Sequence, residues 1–308
     1  MINEAQRQMA KSDVALTAPV IAQLAREATI ELNYHDRRDL ERSRRFLAPG
    51  KHVYVSFLPK QTWAQTQDSC RAVRAAGFEP VPHVPVRLLK SAQELSALVR
   101  ELVREARISE LLLIAGDYSQ AYGPFQCVAD VLRSGILTEH GLQRVSLAGH
   151  PEGHPRVPLD EIRRAELEKV ELAGRAGLHP TFLTQMVFDA LPLLDWAREL
   201  RSGGARCRIV AGLAGPARIT TLFKFALRCG VGPSVRALGT RPTSLVQIIG
   251  DHGPQAVMRS LAEARVVQTS DFAGLHFFCF GGYLRTCEWL QQVAENRFTL
   301  NDCGGFDC

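Results

Sequence analysis

Two hydrophobic rhythms alternate along the chain. The first is a short, nearly unbroken apolar run, such as Leu111–Leu112–Leu113–Ile114. Strands buried on both faces read this way, because neither side of the pleat meets water. Such runs predict strands at 29–32, 52–57, 80–84, 110–115, 144–148, 181–186, 207–212 and 275–280. The second rhythm is a stripe repeating about every 3.6 residues, the mark of an amphipathic helix. Segment 91–106 places Leu95, Leu98, Val99, Leu102 and Val103 on one face. Ser91 is its predicted N-cap, with Glu94 completing a capping box. Segments 159–177 and 189–204 repeat the pattern and stop at glycine, the usual terminator.

Strands separated by helices predict an α/β fold, and eight of them predict a (β/α)8 TIM barrel. Residues 1–27 read as an extra N-terminal helix. The longer stretch 217–273, between strands seven and eight, leaves room for additional helices. No repeat or linker divides the chain, so 1–308 reads as a single barrel domain, with 298–308 as a flexible tail. A doubly wound open sheet is the alternative, but its GxGxxG fingerprint after the first strand is absent.

Composition narrows the function classes. The chain has 308 residues, 46% of them hydrophobic, enough to bury one large core or two small ones. Its net charge of +5 is spread out. The mild basic cluster 37–45 is interleaved with acids and reads as a solvated helix face; the alternative is attraction for phosphates or an acidic tail. No finger spacing or aromatic-basic alternation suggests nucleic acid. No apolar run of about 18 residues suggests a membrane span. The start of the chain is polar, with no secretory h-region. Eight cysteines form no CxxC pair, which fits a reduced, cytoplasmic protein. Cys303 and Cys308 fall in the predicted tail. Trp63, Trp196 and Trp289 either pack under helices or serve subunit contacts in a homo-oligomer.

Active sites of barrels gather at the C-terminal ends of the strands. Those ends carry Glu31, Ser56 and Phe57, His83, Gly116 and Asp117, His150, Gln185, Gly212, and Gly281–Gly282. Glu31 and Asp117 are expected to face one cavity. Two carboxylates in a partly dry site separate their pKa values, which suits one of them to donate a proton. Gly116 allows close approach of a ligand to the backbone. The stretch 148–155, "AGHPEGHP", sets His150 and His154 four apart around Glu152. Zinc helices use that spacing, but Pro151 and Pro155 bias both histidines away from helix. A strand-end loop is the better reading.

These strand ends resemble the methylenetetrahydrofolate reductase family, flavin-dependent barrels of one-carbon metabolism. The resemblance spans roughly residues 28–288. It rests on Leu113–Ile114–Ala115–Gly116–Asp117, on "AGHPEGHP", and on Leu183–Thr184–Gln185–Met186–Val187–Phe188–Asp189. It implies FAD as cofactor, NADH or NADPH as electron donor, and a folate as the small-molecule substrate. By the same resemblance Glu31 is the general acid, Asp117 lies between flavin and folate, and Gln185 contacts the pterin. Ser56, Phe57, His83, Gly116, Val128 (within 126–129), His150, His154 and Lys169 fall at flavin-contacting positions. The chain departs from the family at Ala115, where arginine is usual, and at His150 and near Phe57, where tyrosine is usual. Phe280–Gly281–Gly282 replaces the family's Leu–Asn–Arg, and Arg285 is the candidate stand-in for its folate-holding arginine. Two other classes stay open. One is a metal-dependent hydrolase using His83, His150, His154 and Asp117 as ligands. The other is a non-catalytic folate- and flavin-binding partner of a methyltransferase.

Overall fold

The computed structural model describes residues 4–218, 220–222, 224–225, 254–267 and 272–308. Eight parallel strands close a barrel in sequence order. They are β1 (Thr29–Leu32), β2 (His52–Val55), β3 (Glu79–Pro85), β4 (Leu112–Ile114), β5 (Arg144–Gly149), β6 (His179–Met186), β7 (Arg208–Ala214) and β8 (Gly274–Phe278). The seam is shut by β1 against β8, with Thr29 opposite His276 and Ile30 opposite Phe277. The expected (β/α)8 barrel is the fold.

Strand limits shift by a few residues. The second strand ends at Val55, two short of expectation, because Phe57 turns aside and its ring meets that of Trp63 at 4.7 Å. The seventh runs two residues further, to Ala214.

Helices coat the outside. α1 (Glu4–Glu27) is the predicted N-terminal extension. α2 (Leu40–Ser43) follows β1, and α3 (Trp63–Ala75) starts from a capping box between Thr62 and Gln65. In α4 (Ala92–Ala106), Ser91 accepts from the Glu94 amide as expected. The Glu94 carboxylate, however, accepts from Lys90 N and Trp63 Nε1, so the predicted capping box is half made. Leu95, Leu98, Val99 and Leu102 form the buried stripe. α5 (Val128–Ser134), α6 (Ile136–Glu139), α7 (Leu159–Arg175) and α8 (Ala190–Ser202) follow. Between β7 and β8, α9 (Pro254–Val266) is an additional helix, as expected; the rest of that predicted insertion, 226–253, lies outside the described residues. α10 (Tyr283–Ala294) follows β8, and α1 packs against both α9 and α10.

The core has two shells, set by strand alternation. Outward residues such as Ile30, Val53, Leu113, Leu147 and Ile209 pack under the helices. Inward residues Tyr54, Val81, Leu112, Leu183 and Val210 fill the barrel lumen, with Ile114 against them. Trp196 and Trp289 are buried beneath helices and Trp63 packs on the core edge, so all three take the packed role.

Residues 298–308 do not form the loose tail expected of a terminus. Thr299–Leu300 (β9) and Phe306–Asp307 (β10) pair antiparallel. Phe306 is buried between Trp289 and Phe298, which supplies the apolar anchor that the composition concealed. Cys303 and Cys308 are exposed free thiols. In cluster 37–45, Arg42 pairs with Asp39 and Arg44 with Glu41, the solvated face that the interleaved acids predicted. Among the described residues no helix is long and apolar enough to cross a membrane.

Candidate functional site

On β1, Ile30 and Leu32 point out into the packed shell, so Thr29 and Glu31 point into the lumen. Glu31 thus stands at the C-terminal mouth of the barrel, its side chain 18% exposed. Its Oε2 lies 3.8 Å from His83 Nε2, close but beyond hydrogen-bond reach. Burial penalises the charged form of both groups in opposite directions. It raises the Glu31 carboxyl to about 8 and lowers the His83 imidazole to about 4. At neutral pH both are uncharged, and the acid keeps its proton. His83 Nε2 is buried without a hydrogen-bond partner, a condition rare enough to call for a role.

Below them sits His276, fully buried on β8. Its Nδ1 is 2.8 Å from Thr29 Oγ1, and its Nε2 is also unpartnered. Burial, and then the neighbouring His83, hold it well below the usual imidazole range. The Tyr54 ring lies edge-on to both histidines.

The glutamine on β6 owes its position to a bulge. The register between β6 and β7 shifts between Leu183 and Met186. Gly212 permits this, since a Cβ there would lie 2.4 Å from the Thr184 carbonyl. Thr184 Oγ1 accepts from Gly212 N and donates to the Gln185 carbonyl, which locks the kink. Gln185 Oε1 accepts from Met186 N at 3.0 Å. That fixes the amide orientation and leaves Nε2 as the outward donor.

The "AGHPEGHP" loop follows β5 as a turn, closed by Gly153 N donating to the His150 carbonyl at 3.0 Å with Gly153 at φ +83°. The rings of His150 and His154 stand perpendicular with centroids 5.7 Å apart. Burial, then His150 and Arg156, lower the His154 pKa. The loop is anchored by Glu166 of α7, whose side chain is fully buried. Its carboxylate accepts from His150 N at 2.8 Å, Arg163 Nη1 at 2.9 Å and Trp196 Nε1 at 2.9 Å. Those bonds outweigh the burial that would raise its pKa, and the net shift is downward.

Two expected site residues have partners within the chain. Asp117 stands at the surface after β4. Its side chain is 82% exposed and pairs with Arg156 at 2.9 Å, because Gly116 at φ +87° turns the chain outward. Lys169 is half-buried. Its ammonium donates to the Ala148 carbonyl at 2.9 Å and lies over the Phe182 ring, where burial lowers its pKa. Ser56 is buried with Oγ on the Leu32 carbonyl. Val128 is buried at the start of α5, and Arg285 is exposed in the first turn of α10.

Sequence reading missed Glu166 and His276. Each had a signal. Glu166 interrupts the buried stripe Ile162, Val170 and Ala173 of α7, where a carboxylate must be satisfied internally. His276 sits at a lumen position within an apolar strand. Among the described residues no three His, Cys, Asp or Glu side chains converge as a metal ligand set.

A stretch of 119 residues is 28% identical to methylenetetrahydrofolate reductase 2 of Saccharomyces cerevisiae. The match covers 38% of this chain and 19% of the yeast protein. No family model matches. Among solved structures, 3-dehydroquinate dehydratase from Aquifex aeolicus VF5 aligns over 89% of this chain and 99% of its own, with a TM-score of 0.44 and 10% identity. Dihydropyrimidinase from Brevibacillus agri NCHU1002 aligns over 58% and 41%, with a TM-score of 0.37 and 8% identity. Neither structural likeness bears on chemistry.

Proposed function

We propose that the protein is a flavin-dependent reductase that converts methylenetetrahydrofolate to methyltetrahydrofolate, with NADH or NADPH as electron donor. The observation that carries this reading is Glu31: a carboxylic acid still protonated at neutral pH, at the reactive mouth of a barrel, facing a neutral histidine. The partial match to the yeast reductase supports it.

The residues present fit the ring of a flavin. The unpartnered His83 Nε2 offers a hydrogen bond, and His150 and His154 form a wall. Ser56 and Phe57 follow β2, and Val128 opens α5. Lys169 is given an anchoring role here, since its ammonium donates to the Ala148 carbonyl and lies over the Phe182 ring. When bound, FAD supplies hydride transfer between the nicotinamide and the folate.

The chain's own residues do the rest. Glu31 holds a proton at its carboxyl and delivers it to a ring nitrogen of methylenetetrahydrofolate, which helps open the five-membered ring. Burial raises its pKa toward the working pH, where a general acid is most effective. Gln185 presents Nε2 to acceptors on the pterin, and the bulge at Gly212 holds it in place. Asp117 and Arg285, both at the rim, meet the folate as it enters. The test is Glu31→Gln. The variant is expected to bind flavin and accept electrons from the nicotinamide, while folate reduction falls by roughly 10²–10⁴-fold. Folate reduction at the parental rate would refute the assignment.

A further inference from the structure

The opposite, N-terminal mouth of the barrel is normally a stability face. Here it holds a cavity of about 310 Å³, lined by Arg26, Lys51, His52, Glu110, Thr181 and Arg208 among others. Its charges do not balance. Glu110 is buried and already engaged, accepting from Ser146 Oγ at 2.6 Å with Arg144 Nε at 3.6 Å. Glu27, at the rim, accepts from the Gln23 amide. Among the described residues no carboxylate lies within ion-pair distance of Arg26, Lys51 or Arg208. Arg26 donates to the Ala294 carbonyl at 2.6 Å and Lys51 to the Arg26 carbonyl at 2.5 Å, so backbone dipoles stand where counter-charges would.

We infer that this mouth is a binding site for a small anion, a phosphate or carboxylate group seated among Lys51, Arg208 and Arg26. Three cations around one cavity focus a positive potential there. Guanidinium groups suit the forked oxygens of either anion. Thr181, at the cavity wall, supplies a hydroxyl. The titrating groups of the site agree. Burial lowers the Lys51 ammonium to about 8 despite the pull of Glu27 on the same cavity wall. Burial, with Arg144 and Arg208 beside it, lowers His52 despite Glu110 and Glu79. A bound anion would relieve both. The inference is independent of the proposed reductase activity, whose residues lie at the other mouth.

The full-length protein is titrated with sodium phosphate and, separately, with sodium malonate, each against sodium chloride of matched ionic strength. The His52 ring resonances are followed by NMR. The expected result is a saturable shift with one or both anions and none with chloride. Response to phosphate alone assigns a phosphate ester as the natural class; response to malonate alone assigns a carboxylate. The paired variant Lys51→Met/Arg208→Gln, checked for fold by its circular dichroism, is expected to weaken binding tenfold or more. No saturable shift in the parental protein would overturn the site. So would equal affinity in the folded variant.

Discussion

Glu31 and His83 face each other at the C-terminal mouth of the barrel with Oε2 and Nε2 3.8 Å apart, and both are neutral at pH 7. A salt bridge would be the ordinary expectation for such a pair. Burial overrules it, because making two ions in a dry lumen costs more than their attraction returns. The result is an acid that holds its proton without a counter-charge.

This arrangement ties stability to pH. The folded state keeps the Glu31 proton up to about 8, whereas an unfolded chain releases it near the ordinary value of 4.5. Stability from this group is full below the unfolded value and declines as pH rises toward 8. Glu31→Gln removes that decline and is expected to be more stable than the parent at pH 8 by a few kcal/mol, in order of magnitude. Urea unfolding at pH 5 and pH 8 measures it. Equal slopes with pH in both proteins would count against the raised pKa.

The same proton governs turnover under the proposed chemistry. Folate reduction depends on protonated Glu31, so it is expected to hold below pH 8 and fall above it. Rates measured from pH 6 to pH 9.5, with electron uptake from the nicotinamide followed in parallel, separate this effect from general inactivation.

Glu166 carries the β5 loop. Glu166→Ala leaves the Trp196 indole N–H and the His150 amide without their acceptor, while Arg163 keeps Glu199 and the His150 and Pro151 carbonyls. A loss of roughly 1–3 kcal/mol for each donor left unpaired is expected, read by chemical denaturation. Trp196→Phe removes one hydrogen bond and is expected to cost about 1–2 kcal/mol.

Gly212 makes room for the bulge that aims Gln185. Gly212→Ala places a methyl group against the Thr184 carbonyl and the Phe278 ring. A destabilisation of roughly 1–3 kcal/mol is expected from such overpacking. Folate affinity falls with it, while flavin affinity holds. Thermal unfolding and two binding titrations check the three parts.

Lys169 holds the Ala148 carbonyl near the end of β5. Lys169→Met keeps its packing against Phe182 and removes the bond to Ala148, so flavin affinity is expected to change less than threefold. A loss of tenfold or more would restore the phosphate-contacting role that the family resemblance implied.

The barrel was legible because parallel strands buried on both faces write near-continuous apolar runs, as at 111–114, and the helices between write clean stripes. Glu31 and His83 were legible because a polar residue at the end of such a run has few other reasons to be there. At Asp117 the sequence shows a strand end but neither the turn at Gly116 nor the pairing with Arg156. At Lys169 position on a helix does not reveal which carbonyl the ammonium reaches. Glu166 was hidden by its type: glutamate is so common on exposed helix faces that its spacing with Ile162 and Val170 drew no notice. The terminal hairpin was hidden by glycines and polar residues around a single anchoring Phe306.

The most direct test of the central claim is spectroscopic. The purified protein is mixed with FAD, freed of unbound cofactor, and given NADH or NADPH and then methylenetetrahydrofolate without oxygen. The account predicts a yellow protein whose flavin absorbance bleaches with the nicotinamide and returns with the folate, as methyltetrahydrofolate accumulates. A colourless protein that retains no flavin, or a bound flavin that the folate never reoxidises, would contradict it.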